Sequence, residues 1–433
     1  MKKGINLTII MLISFILIAC SSSGTDSLDE IKPTHSLAED DIKNISAPKG
    51  CEIISDMEKF KPVTDDQSYN SKTDINTSSV RYSVADTGDI VYVGMQQYLG
   101  YIDKKTENIS LVCGKPDCEH NSTMCNAYFI PSLTGLQYYN GELYTINAEQ
   151  YCLVKMSTDG TKREKVLELL PDKGSVGSMY IEWFIHRGYI YYAYRLVGGS
   201  TEGTYYLNNS NCLYRKSLEG NSESECIMAL PVNSRLERIK WHGTGSYIYI
   251  ATPDNIEDGG RLYRYNTESG QLEWFKDFGN NISGVAVRGE NIYFIQNNEN
   301  KDTLIMYVYN FETKEKNELF RLSSESHRMY YDDDYIYLLY GTGELGGTYL
   351  GIWNWDGVHL ADMKQEMKET DTGSELLLFS EADDDNIYLY GRIMNDEEKI
   401  NPYGATRQEY TLVKYIEKSD VLDGEYEIKE WSK

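Results

Sequence analysis

From about residue 78 onward, apolar positions come in short bursts separated by polar turns, and the bursts repeat. One signature is a polar turn followed by an apolar strand with a tyrosine. It occurs as "GDIVYV" with Tyr92, "NGELYTI" with Tyr144, "RGYIYYAY" with Tyr191 and "GSYIYI" with Tyr249. It returns as "GENIYFI" with Tyr293, "DDDYIYLL" with Tyr337 and "DDDNIYLY" with Tyr388, which makes seven copies. After each copy comes a second strand that opens with Leu or Met and ends in turn residues. Examples are "LGYIDKKT" from Leu99, "LYRYNTES" from Leu262 and "MYVYNFET" from Met306. A polar extended segment follows, such as "QLEWFKDF", and a fourth strand precedes each tyrosine strand, as in "GVAVRGE".

Each unit therefore predicts a four-stranded antiparallel meander. Alternation is period two, Tyr and branched residues are frequent, and proline is scarce. Copies arranged around an axis make a β-propeller, an all-β ring of about seven four-stranded blades in which six or eight also fit. Stacking blade on blade buries both faces of a sheet, which accounts for strands such as "IYFI" that are apolar at consecutive positions. A β-sandwich or open repeat array is the competing architecture. The three expected regions are 1–19, 20–77 and the propeller, 78–433.

The N-terminus predicts export. Lys2 and Lys3 precede an apolar stretch from Leu7 to Ile18, too short for a comfortable bilayer span and typical of a signal peptide. It ends in Leu17-Ile18-Ala19-Cys20, which resembles the bacterial lipobox. That resemblance implies a lipid on Cys20, cleavage before it, and a body held at the outer face of the cell membrane. Residues after Cys20 to about Ile45 are polar and acidic and read as a flexible linker, while "CEIISDMEKF" from Cys51 has the makings of a strand. No other apolar run is long enough to span a membrane.

The formal charge is −25, and an acidic body is repelled by nucleic acid and by anionic lipid heads. Nucleic acid is thereby excluded as a partner. The membrane is expected only through the lipid, and a glycan or cell-envelope protein remains open.

Eight cysteines occur, at 20, 51, 113, 118, 125, 152, 212 and 226. Lipidation of Cys20 leaves an odd number, so disulfides alone cannot use them all. Cys212 and Cys226 flank the turn "LEGNS" symmetrically, so a plain hairpin would set them opposite one another, either as a disulfide or as two ordinary strand residues. Cys113, Cys118, His120 and Cys125 follow the pattern Cys-x4-Cys-x-His-x4-Cys. Three thiolates and an imidazole suit tetrahedral zinc in a closed, structural site. A disulfide within the segment, or free thiols, are the other readings.

The lipobox, the blades and the run Cys113-Gly-Lys-Pro-Asp-Cys118-Glu-His120, then Cys125-Asn126-Ala127, together resemble a group of uncharacterised propeller lipoproteins of anaerobic Gram-positive bacteria. That resemblance implies no known activity. It implies a reducing lifestyle, which counts against a disulfide in the 113–125 segment.

The remaining chemistry is sparse. Asp332-Asp333-Asp334 and Asp383-Asp384-Asp385 hold equivalent repeat positions, where turns are expected rather than calcium sites. The run "PDNIEDGG" at 253–260 lacks the ligand spacing of a calcium loop. His186 and His242 each begin a turn before a tyrosine strand and read as surface or packing residues. No nucleophile elbow, phosphate loop or dinucleotide fingerprint is present, so no catalytic residues are named. Long loops are expected at Val197 to Asn211 and Met394 to Gln408. With Tyr205, Tyr206, Tyr349 and Tyr403 they mark a candidate ligand-binding face. The expected function is a non-enzymatic binding module at the cell surface. The alternative is a polysaccharide lyase or hydrolase on the same scaffold.

Overall fold

In a computed structural model, residues 53–54 and, with gaps, 84–430 are described; the longest gaps are 170–177, 230–238, 253–259 and 395–408. Cys20, Tyr403 and the Met394–Gln408 loop interior lie outside the described residues, as do the proposed signal peptide and residues 253–259 of the "PDNIEDGG" run.

The fold is an all-β propeller of four-stranded antiparallel blades. The described strands form seven sheets, and in six of them four consecutive strands run as an uninterrupted meander. The third sheet departs from that pattern. Gly203–Asn209 folds back and pairs with the long strand Tyr189–Ser200 before the meander resumes at Cys212–Ser217. Regular blades thus number six, one fewer than the repeated copies.

Burial falls from the axis outward. The tyrosine strands Glu142–Asn147, Tyr247–Ala251 and Asn291–Asn297 are buried at consecutive positions, because neighbouring blades cover both faces. Outermost strands such as Asn108–Leu111 and Lys316–Ser323 are largely exposed and alternate. Each apolar cluster lies between two sheets. Tyr249, Ala251 and Leu262 of the fourth sheet pack on Ile282, Ile292 and Phe294 of the fifth. Removing side chains of this size from water stabilises by roughly 1.5–3 kcal/mol each. The ring closes where Val84, Val91, Val93 and Ile102 of the first sheet meet Tyr388 and Tyr415 of the last.

Several expectations change. Ile53–Ile54, within the 20–77 region but in the run that has the makings of a strand, does pair, in parallel with Leu272–Glu273 at the outer edge of the fourth sheet. The loop expected from Val197 to Asn211 is largely a hairpin, with Tyr205 opposite Gly198 and Tyr206 opposite Val197. Tyr349 also lies in a strand, Gly347–Asn354, where its ring stacks on Tyr340 at 5.7 Å; it is a packing residue and not a loop residue. The one helix among the described residues is Lys418–Leu422, and no described helix is long and apolar enough to cross a membrane.

Asp332 is a buried structural anion. Its carboxylate accepts from Lys418 Nζ and Tyr337 Oη, both at 2.6 Å, and from the backbone N–H groups of Asp334 and Tyr335. Four donors occupy its oxygens, and the ion pair ties the sixth sheet to the helix after the last tyrosine-strand partner. His186 and His242 are buried on innermost strands rather than at the surface. His186 Nε2 lies 2.7 Å from Gly245 O, and His242 Nδ1 meets Tyr331 Oη. Burial, reinforced by His186, pushes the His242 pKa down to about 3.

Candidate metal centre

The segment 112–129 follows the outermost strand of the first sheet and leads to the innermost strand of the second. It contains no regular strand; its one bridge joins Tyr128 to Tyr98. Its backbone groups still find partners. Val112 N–H donates to Leu99 O and Leu99 N–H to Ala127 O, both at 2.9 Å, which pins the segment's two ends to one residue. Gly114 N–H and Asn126 Nδ2 both donate to Gly160 O, at 3.1 and 2.7 Å.

That approach needs glycine on both sides. A Cβ on Gly160, whose φ is +68°, would lie 2.5 Å from Val112 C, and one on Gly114 would lie 2.6 Å from Thr161 Cγ2. Arg163, on the outermost strand of the second sheet, then clasps the segment. Its Nη1 donates to Tyr128 O at 2.6 Å and more loosely to Asn126 O and Cys125 O, and its guanidinium lies 4.0 Å from the Phe129 ring centre.

Held this way, Cys113, Cys118, His120 and Cys125 converge. One ligand atom from each lies within 4.8 Å of all the others. His120 takes a left-handed φ of 54°, which turns its ring back so that Nδ1 lies 3.2 Å from Cys125 Sγ. Zinc–sulfur bonds of about 2.3 Å put the ligand atoms of a tetrahedral site roughly 3.8 Å apart, so modest contraction closes this set around a zinc ion. Among the described residues this is the one such group of three or more His, Cys, Asp or Glu. With four protein ligands it has no open position for a substrate water.

The thiols differ in acidity. Burial opposes ionisation of Cys113, but hydrogen bonds from the Lys115 and Asn126 backbones and from the Cys118 and Cys125 thiols hold its pKa below the ordinary thiol value. Cys125 is buried, and burial, with its thiol donating to Cys118 and Cys113, pushes its pKa up to about 12. The cluster thus shares protons among sulfurs, which a divalent cation displaces on binding.

Cys212 and Cys226 stand apart from this centre, with sulfurs 2.19 Å apart and Cα atoms 5.6 Å apart. They are not directly opposite as a plain hairpin requires. Cys226 pairs with Tyr214 and Cys212 with Ala229, and a bulge brings the two cysteines together diagonally. Cys152 is buried and lies outside both groups. Of the proposed binding tyrosines, Tyr205 and Tyr206 share one strand of the third sheet and Tyr349 lies in the sixth sheet. Sequence reading missed Arg163 and Gly160; the one available signal was the turn "STDG" that brings Gly160 round.

No protein-family model and no curated protein sequence matches the chain. Solved structures do match, and they are propeller proteins. One comes from a study of two prolyl endopeptidases, at 9% identity and TM-score 0.47; the match covers 83% of this chain and 50% of that one. TolB from Acinetobacter baumannii matches at 14% identity and TM-score 0.33, covering 72% of this chain and 76% of that one. KlHsv2 matches at 7% identity and TM-score 0.40, covering 77% and 97%. At these identities the likeness concerns the fold alone. Fold and site together define a β-propeller with a Cys₃His cluster that could hold a metal ion.

Proposed function

We propose that this chain is a surface-anchored lipoprotein whose propeller serves as a non-catalytic binding module, with a structural zinc ion held by Cys113, Cys118, His120 and Cys125. The observation that carries the zinc assignment is the convergence of these four ligands on a segment whose ends, Val112 and Phe129, join the apolar cluster between the first two sheets while residues 114–124 between them are exposed or half-buried. In this reading zinc does for 112–129 what inter-blade packing does for the strands. Three thiolates and an imidazole leave no vacancy on a tetrahedral ion, so its role is to shape a surface and not to activate water. The lipobox at Leu17–Cys20 supports the anchor, and the rigid ring supports a display role.

The test is elemental analysis of the purified mature protein together with a thiol assay. About one equivalent of zinc per chain, released by chelator with three thiols becoming titratable, is expected. Protein without metal, or with the segment's cysteines oxidised as isolated under reducing conditions, would overturn the zinc assignment. Mass spectrometry of the N-terminal peptide tests the anchor, with a diacylglycerol adduct on Cys20 as the expected result.

A further inference from the structure

Between the metal-bearing segment and the second sheet lies a cavity of about 320 Å³. Lys115, Thr123 and Tyr128 line the wall on the metal-bearing segment; Gln150, Arg163 and Lys165 line the wall on the second sheet. We infer that this cavity is a binding site for a small organic oxyanion, a sugar-sized molecule bearing one carboxylate or phosphate.

The charge balance is the first argument. The chain carries 67 acids against 42 lysines and arginines, yet the cavity is lined by three cations and a single acid. That acid, Glu164, is paired with Lys155 at 2.7 Å, and Lys165 is paired with Glu168. Two positive charges are left over. Among the described residues, neither Arg163 nor Lys115 meets a carboxylate. Arg163 is oriented by the carbonyls of Cys125, Asn126 and Tyr128, and Lys115 Nζ by Met124 O. Carbonyls fix the two side chains in place and leave their charge uncompensated. A pair of anchored, uncompensated cations is what an oxyanion needs.

Size and lining are the second argument. The volume is at the low end of ligand cavities, roughly 300–1,000 Å³. Beside the cations it offers the hydroxyls of Thr123 and Tyr128 and the amide of Gln150, which suit a hydroxylated body better than an apolar one. Because one wall is the segment assigned to zinc, the inference rests on the reading that this segment is ordered.

A rival role exists for the same cations. Zinc with three thiolates and a neutral imidazole carries one net negative charge, which Arg163 could balance. Calorimetric titration of the purified mature protein with glucose 6-phosphate, glucuronate and glucose separates these roles, provided zinc is measured in every sample. Saturable binding of at least one anionic probe is expected, at least about tenfold tighter than glucose. Lys115→Gln, on the exposed side, should weaken it about tenfold with zinc content unchanged and without risk to folding; Arg163→Gln should weaken it at least as much, compared at equal zinc content because Arg163 also holds the metal-bearing segment through three carbonyls. The tighter of the two anions tells phosphate from carboxylate. Equal binding of glucose and both anions, or undiminished binding in both variants, would overturn the inference. Weakened binding in Arg163→Gln that returns to the wild-type value once zinc is replenished would overturn it too, by assigning the guanidinium to the metal centre alone. Anion binding by a wild-type protein that contains no zinc would refute the metal reading alone.

Discussion

Two groups of cysteines in this chain solve different problems. Cys212 and Cys226 sit in adjacent strands of the third sheet, where the ladder already fixes the distance between them. Cys113, Cys118 and Cys125 sit in a segment with no ladder of its own, brought together by its own turns and by hydrogen bonds to Gly160 and Arg163. In the first case geometry comes before the sulfur chemistry and a covalent bond adds to it. In the second, a metal ion would supply much of the geometry. The contrast teaches that within one propeller a strand pair can carry a disulfide while an irregular crossing between blades gathers a ligand set that could hold a metal ion.

Removing the metal should break this contrast most severely. Chelation, or Cys118→Ser, should lower unfolding free energy by about 4 kcal/mol at a thousandfold excess of zinc over its dissociation constant. Limited proteolysis should then cut within 112–129 while the sheets stay protected. Uncut protein after zinc removal would mean the segment holds itself. Cys226→Ser comes next. The cysteines are 14 residues apart, so the loop-closure model gives a loss of about 3 kcal/mol, read by denaturant titration, with zinc content unaffected. Gly160→Ala should cost about 2 kcal/mol, since it combines a positive φ with a clash against the Val112 backbone, and it should weaken zinc as well. Gly88→Ala, with positive φ and open space around the added Cβ, is the control that should leave zinc alone.

The smallest effect is in pH. Without metal, Cys125 keeps its proton up to about pH 12, so zinc binding must expel that proton at any ordinary pH. Protons therefore compete with zinc, and affinity should fall about tenfold for each pH unit lowered per proton released. Calorimetry in buffers of differing ionisation enthalpy counts the protons. The Cys212–Cys226 pair does not titrate and should contribute equally across the same range.

Much of the fold was legible because its cause is local and periodic. Tyr249 and Tyr293 recur in strands that the ring buries on both faces, and that pattern needs no distant information. The ligand set was legible for the same reason, since Cys-x4-Cys-x-His-x4-Cys is a property of thirteen consecutive residues. What escaped depends on register and remote contact. The bulge at Leu213/Tyr214 offsets Cys212 from Cys226 without any glycine or proline to mark it. Tyr205 and Tyr206 lie in a polar, Gly-flanked stretch that reads as a loop, yet it pairs because Tyr189–Ser200 is long enough to receive it. Arg163 touches carbonyls 35 to 38 residues earlier, and no short-range pattern announces such a clasp.

The parallel pairing of Ile53–Ile54 with Leu272–Glu273 ties residues 53–54, early in the chain, to the outer edge of the ring. Counting around the circle, the fourth sheet is three steps from the first, as far as seven positions allow. That two-residue pair and the Cys113–Cys125 crossing share no sheet, so a change at one outer edge leaves the hydrogen bonds of the other untouched.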